Sequence, residues 1–186
     1  MASYVFNPAP YNPLDNNNPQ QTYLEGINDL GQIVGSYTFT SDPLSSETDA
    51  FEYNPEGGGY VELNILASTG SYAAGINQQG EIVGSFENNG NGDWQGVLDN
   101  DGAITTLDFP HATATRLSGI NDSDQIVGNY TDQDGNSHGV VYSAGAWSVS
   151  VIAGPAGYNV SFLQVNGIND SGQVVGYFAD GIPWLY

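Results

Sequence analysis

The sequence predicts an all-β protein and, within that class, a four-bladed β-propeller with four-stranded antiparallel blades. A segment that begins Gly26-Ile27-Asn28 recurs at Gly75, Gly119 and Gly167, and these spacings of 44 to 49 residues lie in the range of propeller blades. The chain has 25 glycines, with aromatic and charged residues at 12% each, which favours a turn-rich β protein over a helical bundle. Each of the first three repeats also contains four strand-like segments, the number found in one blade.

Each copy of this segment, called the Gly-Ile-Asn motif below, predicts a hairpin. In the first copy one strand ends at Asn28, a turn of Asn, Asp and Gly residues follows, and the next strand starts near Ile33. The turn position held by Gly31 is expected at positive φ, and Asp124 occupies this position in the third copy. The motif is therefore expected to serve the scaffold.

The strands are predicted in the same order in every repeat. The innermost strands are expected at 22–28, 72–77, 116–121 and 164–169, the third strands at 50–53, 94–98, 138–142 and 182–185, and the outer strands at 60–66, 103–109 and 147–152. The connections at 67–71, 110–115 and 153–162 then cross from the outer edge of one blade to the centre of the next.

The predicted blades cover about 22–66, 72–109, 116–152 and 164–186, all in one domain over 1–186. The last blade lacks a fourth strand, and the segment 3–6 is expected to supply it. Such a seam closes the ring and leaves no open sheet edge. An open solenoid or a β-helix is the alternative architecture.

The composition excludes several classes of function. The net charge is −20 and Arg116 is the one basic residue, so neither nucleic acid nor an anionic membrane is an expected partner. The absence of cysteine excludes disulfides, thiolate catalysis and Cys-ligated zinc. The N-terminus has no signal-peptide pattern, and no apolar run is long enough for membrane insertion. The oligomeric state stays open.

The Gly-Ile-Asn motif and its flanks resemble the HAF-repeat family of bacterial proteins. The resemblance rests on the motif with its following Gly-Gln-Ile-Val-Gly strand, on Tyr130-Thr131-Asp132, on His138-Gly139-Val140-Val141-Tyr142 and on strands such as Thr105-Thr106-Leu107-Asp108, and it covers almost the whole chain. It implies a β-propeller-like repeat fold and a secreted or cell-surface location. It implies no catalytic residues, because the family has no single accepted activity.

A ligand site is predicted on the face where the inner strands begin, since the crossing loops converge there over the channel mouth. The residues expected to bind a ligand on this face are Tyr23, Glu25, Tyr72, Arg116, Ser118, Gln164 and Asn166. Tyrosine with amides and carboxylates suits carbohydrate recognition by stacking and hydrogen bonding. The leading hypothesis is thus a non-catalytic recognition module for a carbohydrate or a protein surface, at the channel mouth or between blades. Trp94, Trp147 and Trp184 are expected to pack between blades.

Two other functions remain open. An acid–base lyase, isomerase or cyclase acting on a small molecule would use Arg116 to anchor an anion, His111 or His138 to move protons and Glu25 as a carboxylate partner. In the structural reading of the same residues, Arg116 pairs with neighbouring carboxylates and both histidines are exposed in loops. The third possibility is a structural scaffold that associates through blade edges. Motifs of hydrolases, kinases and zinc enzymes are absent from the sequence.

One segment offers a candidate calcium loop. Asp132, Asp134 and Asn136 alternate as oxygen ligands do in such loops, but the distal bidentate Glu is missing. Ordinary turn chemistry explains the same residues. The sequence therefore predicts no cofactor, with calcium as the weaker alternative.

Overall fold

The fold is all-β throughout the part of the chain that the computed structural model describes, which is residues 21–42, 45–57, 59–63, 65, 68–88, 92–149, 163–178 and 183–185. These residues form four antiparallel sheets and contain no helix long and apolar enough to cross a membrane. The strands are β1 (Gln21–Ile27), β2 (Ile33–Asp42), β3 (Ser45–Asn54), β4 (Gly59–Glu62), β5 (Ser68–Ile76), β6 (Ile82–Asn88), β7 (Trp94–Asn100), β8 (Ala103–Thr106), β9 (Ala114–Ile120), β10 (Ile126–Thr131), β11 (Ser137–Ser143), β12 (Ala146–Val149), β13 (Leu163–Ile168), β14 (Val174–Phe178) and β15 (Pro183–Leu185).

Each repeat forms one sheet, and within each sheet the strands pair in chain order. The first three sheets contain β1 to β4, β5 to β8 and β9 to β12, and the fourth contains β13 to β15. The predicted all-β class, the four antiparallel sheets and the strand order inside each sheet are confirmed. The segment 3–6, which was predicted to complete the fourth sheet, lies outside the described residues.

Two outer strands are shorter than predicted, since β4 ends at Glu62 and β8 at Thr106, while residues 150–152 of the third lie outside the described residues. The prediction of a strand over 103–109 was wrong at its end, because β8 ends at Thr106. Beyond this point the Asp108 carboxylate accepts the backbone N–H of Gly96 at 2.9 Å. A side chain thus takes the acceptor role that a strand carbonyl would have, and regular pairing ends there.

The first hairpin turn of each repeat is built on the asparagine of the Gly-Ile-Asn motif. The Asn28 Oδ1 atom accepts the backbone N–H groups of Leu30 at 3.1 Å and Gln32 at 3.0 Å, and the three other turns repeat this pattern. The predicted positive φ is confirmed at Gly31 (76°) and at Asp124 (57°). The Asn side chain thus accepts the backbone N–H groups of its own turn, so these groups need no partner from a neighbouring loop.

Neighbouring sheets meet at the glycines of the motif. A Cβ atom placed on Gly75 would lie 3.0 Å from the Cα of Gly119, and one on Gly119 would lie 3.2 Å from the Cα of Gly167. Gly26 approaches Gly75 in the same way, at 3.1 Å. The inner strands therefore pack backbone against backbone at positions where only glycine leaves enough room.

The hydrophobic core lies between successive sheets. Val34, Val83 and Val127, at the same position of three successive repeats, are fully buried, and each belongs to a different apolar cluster along the array. Such repeated layers are typical of proteins in which each unit packs mainly on its neighbours.

The two end faces of the array are not covered by any described sheet. Ile27 in the first sheet is 68% exposed, whereas its counterpart Ile76 in the second is 7% exposed. Val175 in the fourth sheet is 44% exposed, whereas its counterpart Val127 is fully buried. The residues that join sheets inside the array are thus present, but exposed, at both ends.

Candidate ligand-binding site

A cavity of about 650 Å³ lies where the inner strands begin, and residues from all four sheets line it. Six of the seven residues predicted to bind a ligand are in this lining: Glu25, Tyr72, Arg116, Ser118, Gln164 and Asn166. The seventh, Tyr23, is not in the lining, and its hydroxyl donates to Gln21 Oε1 at 2.6 Å. The structure therefore brings together most of the predicted set, although these residues lie far apart in sequence.

The lining residues form two tiers because side chains alternate along each inner strand. The tier directly before the motif glycines consists of Glu25, Ala74, Ser118 and Asn166. The tier two residues earlier consists of Tyr72, Arg116 and Gln164; Tyr23 holds the same position in the first repeat but does not line the cavity. In the second, third and fourth sheets the residues between the tiers are buried, namely Ala73, Leu117 and Val165, whereas Leu24 of the first sheet is exposed. The inner strands share the Gly-Ile-Asn motif, and the residues before it, which differ between repeats, face the cavity.

Arg116 is held in the cavity by an aromatic pair. Its guanidinium carbon lies 4.7 Å from the ring centre of Trp94, within the range of a cation–π contact. The Trp94 ring in turn contacts Tyr72, with ring centres 5.2 Å apart and planes tilted by 42°. Sequence reasoning missed Trp94 as a site residue, because a tryptophan on a third strand is explained equally well by packing. The role of Trp94 is seen only in the structure, where its ring contacts Tyr72 and Arg116 of two neighbouring inner strands.

Partial removal from water affects the pKa of Arg116. Desolvation lowers the pKa of its guanidinium, and the nearby Tyr72 and Glu87 oppose this shift. The group still carries its charge at neutral pH, because an arginine starts from a very high pKa. Among the described residues no carboxylate forms an ion pair with Arg116. The hypothesis that Arg116 pairs with neighbouring carboxylates therefore finds no support in this part of the chain. The stacking partner of Arg116 is Trp94 instead.

The two histidines are not among the residues that line this cavity. His111 is exposed in the turn after β8, with φ of 64°. His138 stacks on Tyr130, with ring centres 4.9 Å apart, and its Nε2 lies 2.8 Å from Asp132 Oδ2. Of the four residues predicted for acid–base catalysis, the structure therefore brings only Arg116 and Glu25 to the cavity.

The candidate calcium residues fold as a hydrogen-bonded turn. Asp132 Oδ1 accepts the backbone N–H groups of Asp134 at 2.9 Å and Asn136 at 2.8 Å. Asp132 Oδ2 bonds His138 and accepts from the Asn136 amide. The His138 hydrogen bond, followed by those from Asn136, holds the pKa of Asp132 well below its usual range. Both oxygens thus serve the turn, and no group of three or more metal-ligating His, Cys, Asp or Glu residues occurs in the described part of the chain.

A smaller cavity of about 380 Å³ lies between the second and third sheets, where a groove between blades was predicted as an alternative site. Trp94 lines both cavities. The Asp108 carboxylate in its wall is occupied by Gln95 Nε2 at 3.0 Å and by the Gly96 N–H. Since this polar group is used to hold β7 to the chain after β8, the larger cavity is the better candidate.

Comparison with known proteins adds no assignment. No protein-family model matches the chain, and a search of curated proteins finds no match. The resemblance to the HAF-repeat family therefore stays a prediction, and the case for function rests on the cavity.

Proposed function

We propose that this protein is a non-catalytic recognition module that binds a carbohydrate in the 650 Å³ cavity at the start of the inner strands. The observation that carries the proposal is the two-tier lining, in which an aromatic pair and an arginine face amide and hydroxyl groups from other sheets. The volume lies within the range of small-molecule sites and suits one or two sugar rings.

The chemistry of the lining supports a sugar. A sugar ring has an apolar face that stacks on aromatic rings, and the exposed Tyr72 offers such a ring. Asn166 offers its amide, and Gln164 offers its Nε2 group because its Oε1 accepts from the Tyr177 hydroxyl. The Ser118 hydroxyl donates to the Val127 carbonyl at 3.4 Å and can accept from a sugar hydroxyl. Asn129 fastens the wall, because it donates to the Val165 carbonyl at 3.3 Å and accepts the Val165 N–H at 3.0 Å. A preformed wall of this kind reduces the entropic cost of binding.

The proposal includes a closed, four-bladed ring around the cavity. Within the array each turn donates hydrogen bonds forward to the next sheet. Asn28 Nδ2 bonds the Asn77 carbonyl at 2.9 Å and Asn121 Nδ2 bonds the Asn169 carbonyl at 3.0 Å. The backbone N–H of Asp122 likewise donates to Asp170 Oδ1 at 3.0 Å.

The end turns carry the groups that this forward pattern requires. At equivalent positions the last turn has the donors, which are the Asn169 Nδ2 group and the Asp170 backbone N–H. The first turn has the acceptors, which are the Asn28 carbonyl and the Asp29 carboxylate. Closure would also bury the exposed Ile27 and Val175. We infer that the last turn bonds the first and that the ring closes after four blades.

The function is tested by glycan-array binding followed by calorimetry, with Tyr72→Ala as the variant. Tyr23→Ala is the matched control, because Tyr23 holds the same repeat position and is similarly exposed but does not line the cavity. We expect Tyr72→Ala to weaken sugar binding by about tenfold or more, since stacking is lost, and Tyr23→Ala to leave it unchanged. Absence of binding to every glycan, or equal loss in both variants, would contradict the proposal.

A further inference from the structure

We propose that the ligand of this cavity is a sugar acid with a single carboxylate, which Arg116 binds while Tyr72 stacks on the sugar ring. The proposal rests on the carbohydrate-binding function above and specifies its ligand class. Three independent features of the described residues support it: the free donors of Arg116, the neutral character of most of the lining, and the strongly negative charge of the whole chain.

The donors of Arg116 are available. Its guanidinium carbon lies 4.7 Å from the ring centre of Trp94, and a cation–π contact of this kind gives none of the N–H groups an oxygen acceptor. Within the described residues no ion pair occupies these groups. A carboxylate is planar and accepts two parallel hydrogen bonds from an arginine, which a single sugar hydroxyl cannot do.

A neutral ligand would leave the charge of Arg116 poorly solvated. Arg116 is exposed as a whole residue, but Trp94 lies 4.7 Å from its guanidinium carbon and displaces water there, and desolvation lowers the pKa of the group. A ligand that covers the group removes more water, and a carboxylate compensates for that loss better than a neutral hydroxyl does. The inner-strand positions beside Arg116 are neutral, since they are occupied by Ala74, Ser118, Gln164 and Asn166. Glu25 in the lining and Glu87 nearby form no ion pair with Arg116 among the described residues, so the ion-pair position is open to a carboxylate of the ligand.

The overall charge limits the ligand to one carboxylate. The chain carries −20 and holds a single Lys or Arg, so each further negative charge on the ligand meets repulsion without a cation to bind it. Glu25 lines the same cavity and Glu87 lies near enough to influence the charge of Arg116. Polyuronates and dianionic sugar phosphates are thus disfavoured, and a monosaccharide or short oligosaccharide with one acid group is favoured.

The test uses the whole chain and calorimetry with matched probes: glucuronate and galacturonate, their methyl esters, and glucose, galactose and glucose 6-phosphate. We expect at least one uronate to bind about tenfold more tightly than its methyl ester and its neutral parent. Arg116→Gln should abolish this preference, and Arg116→Lys, which keeps the charge but not the planar fork, should retain part of it. His138→Gln, which changes a side chain that does not line the cavity, is the control and should bind as the wild type does.

The outcomes separate this inference from the proposed function. Equal binding of uronate, ester and neutral sugar, unaffected by Arg116→Gln, would overturn the sugar-acid assignment and leave the carbohydrate site standing. Tighter binding of glucose 6-phosphate than of any uronate would overturn the single-carboxylate assignment. Failure of all the sugars to bind would overturn both proposals. Circular dichroism and melting of each variant confirm that it is folded before its binding is compared.

Discussion

The two ends of the inner strands differ in what the repeats keep constant. At the turn end, all four copies have Gly-Ile-Asn, and the described turns are joined by hydrogen bonds such as Asn121 Nδ2 to the Asn169 carbonyl. At the cavity end, a short distance earlier on the same strands, the copies have different residues and enclose open space. Repetition is thus found where sheets must fit one another, and variation where the chain can meet a ligand.

This contrast has a physical origin. Where two backbones approach at the motif glycines, there is no room for a side chain. A buried turn asparagine must also form hydrogen bonds both within its own turn and to the next sheet. Where the strands diverge around the cavity, side chains meet solvent and their substitution leaves packing unchanged. We therefore expect substitutions at the turn end to change stability and substitutions at the cavity end to change binding.

The largest effect should come from Gly75→Ala at the turn end. The added Cβ would lie 3.0 Å from the Cα of Gly119 and 3.2 Å from the backbone nitrogen of Ile120, so the second and third sheets must move apart. We expect the free energy of unfolding to fall by about 3 kcal/mol, measured by urea denaturation. A loss below about 0.5 kcal/mol would show that the sheets adapt and that the glycines are not required by packing.

Gly167→Ala, the matched substitution in the last repeat, tests whether the ring closes. As described, the added Cβ meets only Val175 Cγ2, at 3.9 Å, which is ordinary contact. In the closed ring that we propose, it would instead meet Gly26 as closely as Gly75 meets Gly119. We expect the free energy of unfolding to fall by about as much as in Gly75→Ala. An almost unchanged free energy of unfolding would contradict the four-bladed closure.

A smaller loss should follow from Asn121→Ala. This side chain is 2% exposed and its amide makes four hydrogen bonds, to Ser123 N, Gln125 N, Gln125 Oε1 and the Asn169 carbonyl. We expect the free energy of unfolding to fall by about 2 kcal/mol, because buried groups lose their partners.

Asn166→Ala at the cavity end is the control for Asn121→Ala. Asn166 is exposed and lines the cavity, so its loss should change stability by less than about 0.5 kcal/mol while weakening sugar binding. Equal destabilisation by the two variants would remove the distinction between the ends.

The smallest effect concerns the turn at Asp132, which belongs to neither end. Because the pKa of this carboxyl is lowered in the folded protein, its stabilising contribution is present above the unfolded value of 3.8 and is lost as the pH falls towards the folded value. The melting temperature of the wild type should therefore fall towards that of Asp132→Asn as the solution is acidified below about pH 4. A difference in melting temperature that stays constant down to about pH 2.5 would exclude this role.

Several elements could be predicted from the sequence because their causes are local. The strands, the turns and the positive φ at Gly31 and Asp124 follow from residue type and alternation over a few positions. The end of β8 could not be predicted in this way, because it depends on a side-chain bond from Asp108 to Gly96 across the sheet. The site shows the same division, since the repeat position of Tyr72, Arg116 and Gln164 is readable but the contact of Trp94 with Arg116 is not.

The sequence by itself determined the all-β class, four repeated sheets and the face on which variable residues gather, because these follow from periodicity and turn chemistry. The tertiary structure alone decided that Arg116 stacks on Trp94, that His138 pairs with Asp132 away from the cavity and that Ile27 and Val175 are exposed at the ends. Each of these depends on the distance and angle between separate strands or sheets. Such geometry arises from the packing of whole units and is not encoded in any short stretch of residues.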